Sequence, residues 1–186
     1  YNKFFKKMQD KIDFNVIKLE KKQNIYFQKK SDLVKNMSSF HSWIKSSLIY
    51  TYMMYKYNND IQCTVLDIGC GRGADINKFY YTEVKLYVGV DPDYEALIDS
   101  ADGALSRYKA IKKGKARFPP MFFIHADAGV YLQYDEQLRV LGKMNIDMKN
   151  NFNKFFTWDN KKTNFDRVNC QFVIHYLLSD ENTWNN

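Results

Sequence analysis

The chain has 186 residues, 45% of them apolar and 26% charged, which supports one domain with a real hydrophobic core and little more. A net charge of +7 and a pI near 9.1 favour polyanionic partners, although a lysine-rich base composition gives the same total. Three cysteines without CxxC spacing and only three histidines exclude a zinc site, and no apolar run approaches the roughly 20 residues that span a bilayer. The start carries no secretory signal and opens on Tyr1 instead of Met, so the expectation is a soluble intracellular chain excised from a longer one.

Residues 1–37 are basic and aromatic, with Lys6, Lys7, Lys21, Lys22, Lys29 and Lys30 among apolar positions, and read as an arm with helical segments ahead of a domain over residues 38–186. A helix starts at Ser38 or Ser39, either of which can cap it, and sets Phe40, Ile44, Leu48, Thr51 and Tyr55 on one stripe. Asn58-Asn59-Asp60 breaks it. Residues 64–68 form a buried strand, a glycine-rich turn follows at 69–73, and a helix begins near Ala74. The second strand covers residues 86–90 and ends at Asp91. Tyr94, Leu97, Ile98, Ala101, Leu105 and Tyr108 then mark one amphipathic helix. Lys112, Lys113, Lys115 and Arg117 form a basic loop closed by Pro119-Pro120, and residues 121–124 are the third strand. Leu132, Leu138 and Leu141 fit helical structure, residues 149–162 read as an Asn- and Lys-rich loop, and residues 165–172 are a fourth strand.

Strands alternating with helices imply right-handed crossovers and a parallel sheet with helices on both faces, an α/β fold of Rossmann-like type. The chemistry concentrates in Val65-Leu66-Asp67-Ile68-Gly69-Cys70-Gly71-Arg72-Gly73-Ala74-Asp75. A strand enters a turn so tight that side chains would collide with a bound cofactor. Gly69, Gly71 and Ala74 also satisfy the dinucleotide fingerprint, so glycines alone do not choose the cofactor. The acids choose it. Asp67, just before the first glycine, can meet the cationic amine of a methionine moiety, and Asp91 can accept both hydroxyls of a ribose. Asp127, in His125-Ala126-Asp127-Ala128, can read an adenine amino group. The GxGxG alternation suits a cofactor without pyrophosphate, which favours S-adenosylmethionine over a nicotinamide dinucleotide and points to a class I methyltransferase fold.

The acceptor side is read from Asn169-Cys170-Gln171-Phe172-Val173-Ile174-His175-Tyr176. The fourth strand's end faces the methyl donor, so His175 and Tyr176 line the acceptor pocket, where an imidazole beside an aromatic face can hold a purine. The run from Gln171 to Tyr176, with that from Leu66 to Asp75, resembles the cellular mRNA cap guanine-N7 methyltransferases. Gly73-Ala74-Asp75, Val90-Asp91-Pro92-Asp93 and Phe40-His41-Ser42-Trp43-Ile44-Lys45 are similar to the methyltransferase domains of large-DNA-virus capping enzymes.

The resemblance covers about residues 38–178 and implies roles residue by residue. Lys45 corresponds to a lysine paired with the cofactor carboxylate, Asp67 and Gly69 to methionine-side contacts with Gly71 in the same turn, and Asp91 to the ribose ligand. Asp127 corresponds to the adenine contact and Gln171 to a cofactor-side position. His175, Tyr176 and His41 fall at the cap guanine. Cellular members carry an Asn pair where this chain has His41-Ser42, and the family's further cap-pocket residues and C-terminal strands lie downstream of residue 186.

The implied reaction transfers methyl from S-adenosylmethionine to N7 of the guanine in GpppN-RNA and leaves S-adenosylhomocysteine. Guanine N7 already carries a lone pair, so no catalytic acid, base or metal is expected, only in-line positioning. Capped RNA is the expected partner, with other capping-enzyme domains or a stimulatory subunit beside it, and no membrane. The location is cytoplasm or virion for a viral enzyme and nucleus for a cellular one. Two alternatives are a class I methyltransferase acting on a small molecule or protein, and a non-catalytic methyltransferase-like module. A ribose 2′-O-methyltransferase needs a Lys-Asp-Lys-Glu set that this sequence does not assemble.

Overall fold

The computed structural model describes residues 35–53, 63–143, 146–156 and 165–177. The chain divides into two units, residues 1–40 and 41–186, and the described part of the first is only the opening of a helix. Most of the predicted basic arm, Tyr55 and Asn58-Asn59-Asp60 lie outside the described residues. The elements in order are α1 (Lys35–Met53), β1 (Thr64–Ile68), α2 (Ile76–Tyr81), β2 (Leu86–Asp91), α3 (Tyr94–Ile98), α4 (Ala104–Lys113), β3 (Met121–His125), α5 (Tyr134–Leu141), α6 (Ile146–Phe155), β4 (Arg167–Cys170) and α7 (Ile174–Leu177).

The four strands are parallel and lie in the order β3-β2-β1-β4. Chain order runs outward from β1 through β2 to β3 and then resumes on the other side with β4. Ligands bind open parallel sheets at such a reversal, beyond the carboxyl ends of the strands. Here the reversal falls between β1 and β4, where Asp67 is in register with Asn169.

Alternation along the strands feeds two cores. Val65, Tyr87 and Met121 pack with Ile49 and Met53 of α1, Ile76 and Phe79 of α2, and Tyr108 of α4. Leu66, Val88, Val90 and Ile124 pack with Phe152 and Phe155 of α6 and with Phe156. Burial of each such side chain contributes about 1.5–3 kcal/mol. The expected sheet with helices on both faces is therefore present.

Several local expectations are corrected. The chain is already helical at Lys35, so neither Ser38 nor Ser39 begins α1. Its buried positions are Ile49 and Met53, whereas Phe40, Leu48 and Thr51 are exposed. The face at i, i+4 spacing is His41, Lys45, Ile49 and Met53: apolar residues at one end serve the core and polar ones at the other serve the site.

The single helix expected over residues 94–108 is two helices. Asp99 interrupts it, because its carboxylate accepts the N–H groups of Ala101 and Asp102 at 2.8 Å each and competes with the helical ladder. Lys112 and Lys113 belong to the end of α4, where positive charge suits the carbonyl terminus, and not to a loop.

The loop expected from residue 149 is helical through Phe155, because Phe152 and Phe155 lie three apart and bury against the sheet. Residues 157–162 fall outside the described residues. The fourth strand is shorter than residues 165–172, since Phe172 takes φ 61 and turns the chain beyond Cys170.

Candidate functional site

The carboxyl ends of β1, β2 and β4 converge on the glycine turn. Gly69 and Cys70 both donate their N–H groups to the Val90 carbonyl, at 2.9 and 3.1 Å, which pins the turn to the next strand. Gly69 (φ 70) packs so closely that a Cβ there would stand 2.4 Å from Cγ2 of Val173, so the segment after β4 lies over the turn. Gly71 (φ 51) differs, since a Cβ there would meet nothing within 4 Å. Its missing side chain leaves open space beside the strand ends, as close approach of a ligand requires.

Asp91, at the end of β2, accepts the Gly71 N–H at 2.7 Å on Oδ2 and the Asp93 N–H at 2.9 Å on Oδ1. Burial raises its pKa, and these two bonds partly offset the effect. The predicted ribose ligand thus also fixes the turn, with further lone pairs on each oxygen.

Asp67 is buried and sits in a relay crossing three strands. Its Oδ2 accepts the Tyr87 hydroxyl at 2.6 Å and its Oδ1 accepts Nδ2 of Asn169 at 2.6 Å. Asn169 Oδ1 in turn accepts Nε2 of Gln171 at 2.6 Å. Gln171 Oε1 is buried and has no partner among the described residues. Burial pushes the Asp67 carboxyl up to about 6, against the pull of its two hydrogen bonds. A carboxylate so placed favours an incoming cation.

Lys45 reaches the site through Asp75. Its Nζ lies 2.7 Å from Asp75 Oδ2, and Lys78 Nζ lies 2.6 Å from Oδ1. Burial raises the Asp75 carboxyl, but the Lys45 and Lys78 ammonium groups outweigh it and hold it below its ordinary value. Lys78 also reaches Ser42 Oγ at 3.3 Å.

Asp127 lies just past β3 in a loop organised by a residue that sequence reasoning missed. Gln137 is fully buried, accepts the Asp127 N–H at 2.7 Å, and donates Nε2 to the carbonyls of Asp127 at 2.7 Å and Tyr131 at 3.0 Å. Asp127 Oδ1 takes the Gly129 N–H at 2.8 Å. Within Tyr134-Asp135-Glu136-Gln137, a glutamine reads as surface, so no signal singled it out. Tyr87 and Asn169 were missed too. Each carries a polar tip in an apolar strand, a usable signal in retrospect.

His175 and Tyr176 are exposed on α7, with ring centroids 3.9 Å apart. The His41 ring packs at a tilt against Phe172, centroids 4.5 Å apart, and the left-handed backbone of Phe172 costs about 1–2 kcal/mol beside the strand end. The predicted Asp67, Gly69, Gly71, Asp91 and Gln171 thus gather at adjoining strand ends. Asp127 lies beyond the next strand, Lys45 joins by way of Asp75, and the His175–Tyr176 pair follows Val173.

A family model described as the mRNA (guanine-N(7))-methyltransferase domain matches residues 6–184. The probable mRNA-capping enzyme of Acanthamoeba polyphaga mimivirus is 42% identical over 174 residues, covering 94% of this chain and 14% of that protein. The mRNA cap guanine-N(7) methyltransferase of Caenorhabditis briggsae is 32% identical over 148 residues, covering 79% of this chain and 32% of that protein. The protein of the same name from Aspergillus niger is 31% identical over 91 residues, 48% of this chain and 14% of its own length. The chain thus spans about a third or less of these relatives.

Proposed function

Because this chain belongs to the mRNA (guanine-N(7))-methyltransferase domain family, we propose that it transfers a methyl group from S-adenosylmethionine to N7 of the guanine that caps an RNA. The observation that carries the reading is the set of Asp67, Asp91 and Asp127 at the ends of three successive strands, with Asp91 bonded to the Gly71 N–H and Val173 packed against Gly69 in the same turn.

The residues fit the cofactor. Asp67 has no ion pair among the described residues, and its largely ionised carboxylate suits a cationic methionine end. Asp91 has oxygens at the strand end for a ribose, and Asp127 follows the next strand for an adenine. When bound, S-adenosylmethionine supplies an electrophilic methyl group on a sulfonium.

The chain's own residues then hold and orient. Lys45, steadied by Asp75, suits the amino-acid carboxylate, while Gly69 and Gly71 let the backbone come close. His175, Tyr176 and His41 offer aromatic faces and ring nitrogens to a guanine, fixing N7 in line with the methyl group. No residue needs to remove a proton, since N7 is already nucleophilic. The acidic side chains would hold the sulfonium form more strongly than the neutral thioether that remains once the methyl group is on N7.

Capped RNA is the substrate on this reading, and the basic balance suits its phosphates. Further capping domains or a stimulatory subunit are the proposed partners. The setting is intracellular, in cytoplasm or virion for a viral protein. Among the described residues no helix is long and apolar enough to cross a membrane.

The test supplies S-adenosylmethionine with a labelled methyl group and offers GpppA-RNA beside the same RNA already methylated at N7. Label on the first alone is expected. Label on both would move the reaction to a ribose or internal position, and binding without transfer would leave a non-catalytic module.

A further inference from the structure

We propose that Asn169 is a positioning residue for the methyl donor, fixing the Gln171 amide so that its Oε1 accepts a hydrogen bond from the α-ammonium of the methionine end. The inference rests on the reading of this site as an adenosylmethionine site.

It follows from the direction of each hydrogen bond. An ionised carboxylate only accepts. Asp67 Oδ1 therefore takes Nδ2 of Asn169, at 2.6 Å, and leaves Asn169 with its oxygen pointing away. That oxygen must itself accept, and Gln171 Nε2 supplies the donor at 2.6 Å. The remaining atom of the Gln171 amide is an acceptor, buried and without a partner among the described residues. Rotating either amide would set oxygen against oxygen, so the acid dictates the outcome two side chains away. Buried acceptors are rarely left unpaired in native proteins, and this one stands at the strand ends where a ligand is expected.

Position selects the donor. Asn169 is the register partner of Asp67 across the reversal between β1 and β4, and Gln171 is two residues further on. A cation there meets both an oriented carbonyl and the Asp67 charge. The amino group of an adenine would instead be met near Asp127, past β3. Tyr87, Asn169 and Cys70 face Asp67 at close range, with Asp75 and Lys45 acting at longer range. Among these, only Asn169 transmits its ionisation to Gln171.

The experiment compares binding of S-adenosylhomocysteine with its des-amino analogue by calorimetry at pH 8. The chain should prefer the amine-bearing ligand by about 30-fold or more, the range of a charge-assisted hydrogen bond with a nearby charge. Asn169→Leu should weaken the amine-bearing ligand, leave the analogue within about threefold, and shrink the preference roughly tenfold. Gln171→Leu, beyond the strand, should do the same, and the double variant should lose no more than either single. Equal loss of both ligands in Asn169→Leu would reveal a merely structural role. Should that variant unfold, a full preference in Gln171→Leu would overturn the proposal by itself. Failure of the unaltered chain to bind either ligand would remove the cofactor reading and this inference together.

Discussion

Tyr87, near the start of β2, donates its phenolic hydrogen to Asp67, near the end of β1, at 2.6 Å, and both side chains are buried. The pair is diagonal, since Asp67 stands in register with Gly89. That glycine leaves room for Cys70, because a Cβ there would come within 2.8 Å of its sulfur. The hydroxyl steadies a charge that burial disfavours, so the protein keeps an ionisable acid where a neutral polar residue would escape that cost.

Replacing that acid should therefore stabilise the fold. The Asp67 carboxyl rises from 3.8 to about 6 on folding. A raised acid binds its proton more tightly in the folded state, so its stabilising contribution is full below the unfolded pKa and is lost as pH climbs through about 6. At pH 8 the ionised group opposes folding by up to about 3 kcal/mol. Asp67→Asn removes the charge and can still accept from Asn169, while its amide N–H2 donates to the Tyr87 hydroxyl oxygen. Its Tm at pH 8 should rise by several degrees, about 2–4 °C per kcal/mol for a chain of this size, while S-adenosylhomocysteine affinity falls about tenfold or more. Scanning calorimetry at pH 4 and pH 8 checks the sign, since the gain should shrink at the lower pH.

The same acid shows what the sequence could and could not disclose. The glycine turn, Asp67, Asp91 and Asp127 were legible because each follows a short apolar run, a pattern that places it at a strand end. The parallel sheet follows from the alternation of strands and helices, but the order β3-β2-β1-β4 does not. The face of α1 was misread because its aromatic residues point outward while His41 and Lys45 occupy the inner stripe with Ile49 and Met53. Asp99 hid a helix break behind good periodicity. Gln137 and Asn169 were invisible because their importance lies in partners ten and 102 residues away, which no local pattern encodes.

Asp75 should matter to stability through two lysines at once. Its folded pKa is lowered, so the stability it provides is present above its unfolded value of 3.8 and is lost as pH falls through the folded one. Asp75→Ala should destabilise the chain by about 1–3 kcal/mol at pH 7, because two half-buried ammonium groups lose their partner. Lys78→Met should cost less. Urea unfolding at pH 7 and pH 3 measures both, and a difference that persists undiminished at pH 3 would contradict the ion-pair account.

Glycine-to-alanine changes should separate folding from binding. Gly71→Ala meets no protein atom within 4 Å, so the fold bears only the left-handed backbone penalty of about 1–2 kcal/mol. Its methyl group projects into the open space beside the strand ends, and cofactor affinity should fall at least tenfold. Gly69→Ala drives a methyl into Val173 and should lose several kcal/mol of stability before binding can be measured. Thermal melts beside ligand titrations decide the matter; equal effects in both variants would erase the distinction.

Gln137→Leu should loosen the loop carrying Asp127. The substitution keeps bulk but leaves the Asp127 N–H and two carbonyls without their buried partner, a loss of about 1–3 kcal/mol or more. Amide exchange should quicken across residues 127–131 while β1 and β2 stay protected. Uniform acceleration across the sheet would mean that Gln137 supports the whole core.

His175 should act on the acceptor alone. It is exposed, its ring lies 3.9 Å from that of Tyr176, and it stands two residues after Val173, which packs over Gly69. Such a pair can grip a planar base, by stacking on Tyr176 and by a ring nitrogen of His175, without reaching Asp67 or Asp91. His175→Ala should leave S-adenosylhomocysteine affinity within about twofold and reduce methyl transfer to GpppA-RNA by about tenfold to a hundredfold, as lost alignment does. His175→Asn, which keeps a donor, should recover part of that rate. The reaction needs no proton removed, so the remaining rate should not acquire a new dependence on pH between 6.5 and 8.5. A sharp new pH limb in the variant would indicate that His175 moves a proton, and a parallel drop in cofactor affinity would return it to the donor side of the site.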